Sequence, residues 1–172
     1  MPTTYGVAGT VSVSVSPAEA TGTVELARGT SVLATTAVAD GKATLVIVAK
    51  ALLPGTYDLD LRYAGDAGHQ PSSSKVQVVV EKVVPTMAVS ATKVSGNQAR
   101  IVVQLSAAND VPVTGEVRVG VEGSTLVATV SNGQAVFIWP RIPKGGRLAL
   151  TATYAGSDLA SAVTADFTVR VR

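Results

Sequence analysis

His69 is the only histidine in the chain, and it lies three residues after Asp66 in the segment Gly65–Pro71. A carboxylate next to an imidazole can orient a general base or supply two metal ligands. Nucleophilic catalysis would also need a positioned hydroxyl or thiol and donors for an oxyanion, and the chain contains no cysteine. The pair Asp66–His69 is therefore a candidate site, but the sequence favours a structural role in a loop.

Other carboxylates are candidates for acid–base chemistry or for calcium binding. Asp58 and Asp60 share one face of a predicted strand, and a glycosidase pair would need a cleft and a partner on another strand. Glu81, Asp110 and Asp158 could donate oxygens near a domain junction, but calcium takes about six to eight oxygens and the chain has no D-x-D-x-D-G loop. We therefore expect Asp58 and Asp60 on a solvated sheet face, and we predict no catalytic residue, cofactor or metal ligand.

The densest aromatic segment contains Phe137, Trp139 and Pro140. An exposed tryptophan would suggest stacking on a sugar ring, as in a carbohydrate-binding module. In the internal repeat described below, Trp139 takes the position of Ile47, which alternation places on an inward face. The sequence therefore predicts Trp139 in the core, with sugar stacking as the alternative.

Composition argues against two classes of partner. The net charge is +2, and the nearest approach to a basic cluster is Arg170 and Arg172, whereas a nucleic-acid binder shows a basic stripe. The apolar run Ala43–Ala49 is flanked by Lys42 and Lys50, and spanning a bilayer takes about 20 apolar residues. We expect no nucleic-acid partner and no membrane insertion.

Two segments of the chain repeat each other, Leu53–Asp66 and Ile142–Ser157. Each reads as a Pro/Gly turn, an alternating strand and a Tyr-Ala-Gly loop, and Tyr63 and Tyr154 are 91 residues apart (154 − 63). The chain therefore contains two copies of one small domain. We predict domains at residues 1–82 and 83–172.

Alternation and turn signals predict an all-β fold. The expected strands of the first copy are Thr10–Val15, Gly22–Ala27, Ser31–Ala37, Lys42–Val48, Thr56–Tyr63 and Ser74–Val80. Those of the second are Met87–Thr92, Ala99–Leu105, Gly115–Val121, Thr125–Val130, Gln134–Trp139, Arg147–Tyr154 and Val163–Val171. Asp40-Gly41 and Asn132-Gly133 are hairpin signals, and Ala49–Leu53 is expected to form a single helical turn. Short strands at this spacing predict two tandem Ig-like antiparallel β-sandwiches, with a small barrel as the alternative.

The connection between the copies, residues 80–85, is short and lacks glycine and serine. Its β-branched residues before Pro85 favour extended backbone, so we expect a stiff linker and a rod-like pair. The first copy has only Met1–Gly9 before its Thr10 strand, and no basic and apolar leader follows Met1. We interpret the first strand as weak or truncated and the chain as a segment of a longer array.

Four segments of the first copy resemble the bacterial Ig-like repeats of group 3: Thr21–Val24, Asp40–Ala43, Leu53–Tyr57 and Tyr63–Asp66. The second copy matches less well, with Leu148 where the first has Tyr57. Early in its strand, Tyr57 is similar to the tyrosine corner of Ig folds, in which the hydroxyl bonds to nearby backbone.

The resemblance implies a non-catalytic role. Such repeats occur in tandem in secreted and surface-anchored bacterial proteins, where they act as spacers or adhesion modules. We therefore expect a stalk or adhesion segment of a larger exported protein, located outside the cell or on its surface, monomeric and not an enzyme. The alternative is a module that binds a cell-surface glycan or protein through its end loops or an exposed edge strand.

Overall fold

The computed structural model describes residues 1–171, which form fourteen β-strands and one 3-10 helix of three residues. The chain divides into two compact units, Met1–Glu81 and Lys82–Arg172. The predicted boundary, between residues 82 and 83, lies one residue from this division. No helix in the described part of the chain has the length and apolar character needed to cross a membrane.

The first domain consists of seven strands in two sheets. The strands are β1 (Pro2–Thr4), β2 (Gly9–Ser14), β3 (Thr23–Arg28), β4 (Ser31–Ala37), β5 (Lys42–Ile47), β6 (Gly55–Tyr63) and β7 (Ser72–Glu81). One sheet has the order β1-β7-β6-β3-β4, and the other contains β2 and β5. All neighbours are antiparallel except β1 and β7, which are parallel.

The second domain also has seven strands in two sheets. They are β8 (Thr86–Lys93), β9 (Ala99–Ser106), β10 (Glu116–Val121), β11 (Ser124–Thr129), β12 (Gln134–Trp139), β13 (Arg147–Tyr154) and β14 (Val163–Arg170). The sheets have the orders β11-β10-β13-β14 and β12-β9-β8, and the 3-10 helix Ala108–Asp110 follows β9. The predicted pair of β-sandwiches is confirmed, and since each domain has two separate sheets, neither is a closed barrel.

Each core is built from every second residue of its strands. On β5, Ala43, Leu45 and Ile47 are buried while the residues between them are exposed. On β12, the equivalent residues Ala135, Phe137 and Trp139 are buried in the same way. Successive side chains of a strand point to opposite faces, so one face of each sheet packs inward and the other faces solvent.

The two predicted hairpin turns are present before β5 and β12. Asp40 and Gly41 have φ values of 50° and 67°, and Asn132 and Gly133 have values of 49° and 73°. Positive φ at both central residues matches the right-handed twist of the flanking strands. The Asp-Gly and Asn-Gly pairs therefore locate these turns correctly.

The helical turn predicted for Ala49–Leu53 is wrong. Lys50 adopts a left-handed conformation with φ 65°, which a right-handed helix excludes. The segment is a turn in which Ala51 N–H donates to the Val48 carbonyl at 3.2 Å. It turns the chain back and buries Leu52 against the core.

The first strands of the two domains join different sheets. β1 has three residues and pairs in parallel with Val79, Val80 and Glu81 of β7. β8 has eight residues and pairs antiparallel with β9, in the other sheet of its own domain. The expectation of a short first strand fits the length of β1, but its place in the opposite sheet was not predicted.

Candidate functional site

The Asp66 carboxylate joins two loops at one end of the first domain. Its Oδ2 accepts hydrogen bonds from the N–H and the hydroxyl of Thr21, at 2.7 and 2.9 Å. Its Oδ1 accepts from Gly68 N–H at 2.8 Å and lies 2.8 Å from His69 Nδ1. Asp66 N–H in turn donates to the His69 carbonyl at 3.0 Å, which closes the loop on itself.

These hydrogen bonds set the charge state of the carboxyl. The N–H groups of Thr21 and then of Gly68 stabilise the ionised form, and they hold the pKa of Asp66 far below its usual range against the opposing effect of burial. The neighbouring Tyr63 hydroxyl has a raised pKa, first because it is desolvated and then because the Asp66 charge lies beside it. Asp66 is therefore a fixed anion near neutral pH.

This arrangement does not provide acid–base chemistry. Asp66 accepts bonds on both oxygens and has no proton to exchange near neutral pH. His69 is partly exposed, and within residues 1–171 its side chain bonds to Asp66 and to no hydroxyl. The structure thus brings the predicted pair together, and its geometry is that of a loop clamp, which we define as Thr21, Asp66, Gly68 and His69.

The second domain closes the same loop with a different side chain. Ser157 Oγ accepts from the N–H groups of Leu159 and Ala160, at 3.3 and 3.1 Å. Ser157 N–H donates to the Ala160 carbonyl at 2.8 Å, which corresponds to the Asp66–His69 backbone bond. The loop geometry is shared by the two domains, but the carboxylate and the imidazole are not.

A buried tyrosine also ties each domain together at this end. The Tyr63 hydroxyl donates to the Thr21 carbonyl at 2.6 Å, and the Tyr154 hydroxyl donates to the Thr114 carbonyl at 2.6 Å. The Tyr63 hydroxyl lies farther, 3.3 Å, from Asp66 Oδ2. Sequence reasoning missed both bonds, although the Tyr-Ala-Gly repeated in both copies was the available signal.

Tyr57 makes the tie predicted for it. Its hydroxyl donates to the Leu53 carbonyl at 2.8 Å. The Arg28 guanidinium lies 4.8 Å from the centroid of its ring, within the range of a cation–π contact. In the second domain the equivalent Leu148 is almost completely buried and forms no such bond.

Asp58 and Asp60 point outward from β6. Asp58 is exposed and accepts from Gln77 at 3.2 Å. Asp60 forms a 3.4 Å ion pair with Arg62, whose guanidinium also donates to the Gly29 carbonyl at 2.7 Å. The two carboxylates therefore lie on a sheet face among surface partners and not in a cleft.

The remaining acidic candidates are not brought together around one point. Glu81 ends β7, Asp110 lies in the 3-10 helix, and Asp158 lies in the loop after β13. Within residues 1–171 there is no group of three or more acidic or histidine side chains that could hold a metal ion. Of the two C-terminal arginines, Arg170 lies opposite Arg147, and Arg172 lies outside the described residues.

The aromatic segment belongs to the core, as predicted. Phe137 is 4% exposed and Trp139 is 6% exposed, whereas Pro140 is exposed. The Trp139 Nε1 hydrogen has no acceptor in the described structure. With its ring packed inside the sandwich, Trp139 presents no stacking surface to a sugar.

The fold and the hydrogen bonds define two immunoglobulin-like β-sandwiches in tandem. Residues 1–81 match the family model described as "Bacterial Ig-like domain (group 3)". The first domain is therefore similar to that family, whose members are generally non-catalytic modules. No curated protein matches the chain.

Several solved structures are similar to the chain. Against the fibronectin(III)-like modules of Clostridium thermocellum CbhA the identity is 16%, with 99% of this chain and 88% of that chain covered and a TM-score of 0.38. Against the amphioxus IgVJ-C2 molecule the identity is 12%, with 99% of both chains covered and a TM-score of 0.47. Against EC1-3 of Drosophila N-cadherin the identity is 12%, with 99% of this chain and 63% of that chain covered and a TM-score of 0.35.

Proposed function

We propose that the two domains are a non-catalytic spacer or adhesion segment of a larger exported bacterial protein. The family of the first domain usually occurs in secreted or surface proteins, which supports a location outside the cell. Such a segment needs domains that stay folded and loops that keep their conformation, and it needs no reactive group.

One observation carries the proposal. The loop after the Tyr-Ala-Gly strand is closed by Asp66 in one domain and by Ser157 in the other, with the same backbone bond in both. A site that performed chemistry would depend on the carboxylate or the imidazole. What the two copies share is the loop geometry, which is the property of a structural element.

The test is a domain replacement in a surface-displayed fusion with a supplied signal, a supplied anchor and a distal epitope tag. In one variant, a second copy of residues 82–172 replaces residues 1–81. A spacer predicts equal antibody access to the tag on intact cells for the native pair and the replaced pair, and lower access when one domain is deleted. Equal access after the deletion would contradict the spacer role.

The alternative is a module that binds a cell-surface glycan or protein, and one observation favours it. The edge strands β4 and β11 carry exposed valines, Val32 and Val127, and the end loop carries the exposed Gln70. A glycan array probed with the labelled chain tests this reading, with Gln70→Ala as the matched loop variant. Retention of a glycan by the native chain that the variant loses would favour the alternative over the spacer.

A further inference from the structure

The outer edge of β2 is open in the first domain. Within residues 1–171, β2 pairs with β5 alone, whereas its counterpart β9 is paired on both sides, by β12 and β8. Val15 N–H donates to the Gly41 carbonyl at 2.8 Å, on the β5 side. Backbone groups of successive residues point to alternate sides of a strand, so the N–H groups of Thr10, Ser12 and Ser14 face the open edge.

A groove lies beside the end of this edge, between residues 13–16 and the first residues of β7. Its volume is about 410 Å³, with an apolar floor that includes Val13, Val15 and Leu61 and a rim that includes Ser72–Ser74. β1 and the preceding Met1 cover only the other half of β7, from Gln77 onward. The groove is therefore bordered by two strand edges that have no pairing partner there within residues 1–171, and by the loop residues Gly68–Gln70.

The groove floor is less buried than the matching core of the second domain. Val13, Val15 and Leu61 are partly exposed. The exposed fractions of the residues at the same positions in the second domain are 0% for Val103, 2% for Leu105 and 0% for Ala152. Because the two domains otherwise have corresponding strands, we attribute the greater exposure in the first domain to the element that covers these positions in the second.

In the second domain the cover is β8. It pairs antiparallel with β9, with Met87 opposite Leu105 and Val89 opposite Val103, and it also lies beside β14. The inward residues of β8 are Met87, Val89 and Ala91, separated by Ala88 and Ser90. The chain thus contains its own example of the strand that fits this edge.

We propose that the β2 groove accepts an extended peptide strand from a partner protein. The strand pairs antiparallel with β2, bonds to the free backbone groups of Thr10, Ser12 and Ser14, and places small or unbranched apolar side chains at alternate positions over the floor. Its outward positions carry alanine, serine or threonine, as those of β8 do. Main-chain bonds give such a complex its affinity, and the alternating side chains give it specificity. This binding is additional to the spacer role and does not depend on it.

The probe is an end-blocked synthetic peptide with the sequence of residues 84–94, added to the full chain and followed by amide hydrogen exchange in NMR. We expect exchange at Thr10, Ser12 and Ser14 to slow by about tenfold or more at saturating peptide, because their N–H groups acquire acceptors. Val102 and Gln104 are the internal control. Their N–H groups already face β8, so their exchange stays unchanged.

Ser12→Pro removes one outward donor, and proline is tolerated in an edge strand where its nitrogen faces solvent. We expect this variant to lose the peptide effect, while Ser12→Ala, which keeps the N–H, retains it. Should Ser12→Pro not fold, a peptide carrying Met87→Asp and Val89→Asp makes the same test on the native chain. It should not bind, because it would place charge on the apolar floor.

Three results would overturn the proposal. The first is unchanged exchange at β2 up to millimolar peptide. The second is equal binding of the native and the aspartate-substituted peptides. The third is protection of Thr10, Ser12 and Ser14 that rises with protein concentration without peptide, which would assign the edge to a second copy of this chain.

Discussion

The hydroxyls of Tyr63 and Tyr154 hold equivalent positions and bond to equivalent carbonyls, those of Thr21 and Thr114. Both rings are buried, so each hydroxyl needs a partner inside the protein. Each bond fastens the end of a central strand to the loop before another strand. These tyrosines are therefore the residues on which the loop ends of both sandwiches depend.

We expect Tyr154→Phe to lower the free energy of unfolding of the second domain by about 1–2 kcal/mol, because it removes a partly buried hydrogen bond and leaves the Thr114 carbonyl without its partner. Tyr57→Phe is the comparison in the first domain. Its bond to Leu53 is exposed, and we expect a loss of about 0.5–1.5 kcal/mol. Urea unfolding of each variant measures both. No loss for Tyr154→Phe would contradict the importance given to this bond.

Asp66 makes the stability of the first domain depend on pH. Its pKa is lower in the folded than in the unfolded state, so below the unfolded value of about 3.9 the unfolded state binds more protons. The stabilisation is complete above that value, and it is lost as the pH falls through the lower folded pKa. We expect Asp66→Asn to be less stable than the native chain at neutral pH and to lose less stability on acidification.

Thermal melts between neutral and acidic pH test this expectation. Asp58→Asn is the matched control, because Asp58 lies on the same domain with a single exposed bond to Gln77. It should melt like the native chain at every pH. A native-like acid profile for Asp66→Asn would show that the loop clamp contributes nothing to pH dependence.

At the level of strands, the sequence predicted what local pattern determines. Alternation in β5 and β12 identified the buried faces, and Asp40-Gly41 and Asn132-Gly133 located two turns. The sheet that β1 joins could not be predicted, since it depends on pairing with β7 about 77 residues later (79 − 2). Likewise, the clamp partners Thr21 and Asp66 lie 45 residues apart, and no spacing rule connects them.

The connection into β3 requires a glycine. Gly22 has φ +91°, and a Cβ there would lie 2.4 Å from the Gly65 carbonyl oxygen, a backbone atom. We expect Gly22→Ala to destabilise the first domain by several kcal/mol, because it adds a steric clash to an unfavourable φ. Gly145→Ala in the second domain is the control: its φ of +89° is nearly the same, but its Cβ would meet nothing within 4 Å, so about 1–2 kcal/mol is expected from the backbone conformation alone.

Denaturant midpoints of the two variants decide between sterics and backbone conformation. If φ alone mattered, Gly22→Ala and Gly145→Ala would each shift the midpoint of their own domain by similar amounts. A larger shift for Gly22→Ala assigns the difference to the close approach of the two loops.

For the whole chain, stability should not depend on a metal ion. Within residues 1–171, the acidic side chains do not form a group of three around one point, and a structural ion would need such a group. We expect EDTA, or added calcium, to leave the melting curve unchanged. A rise in melting temperature with calcium that EDTA reverses would contradict this and would call for ligands that the acidic side chains alone do not supply.

Each domain has its own core, and Trp139 is the only tryptophan in the chain. Its fluorescence therefore reports the second domain alone, and its emission should be blue-shifted and resistant to quenching because the ring is 6% exposed.

Leu59 is 0% exposed in the first domain. We expect Leu59→Ala to destabilise that domain by about 2–5 kcal/mol and to leave the tryptophan transition in place, because separate cores unfold as separate units. Far-UV circular dichroism follows the unfolding of both domains. The native chain and Leu59→Ala should therefore show the same tryptophan transition, and their circular dichroism transitions should differ only in the part that comes from the first domain. The corresponding core substitution in the second domain, Val103→Ala, should lower the midpoint of the tryptophan transition and leave the unfolding of the first domain unchanged. If Leu59→Ala moved both transitions together, the two sandwiches would unfold as one cooperative unit, and a chain built from independent repeats would be the wrong description.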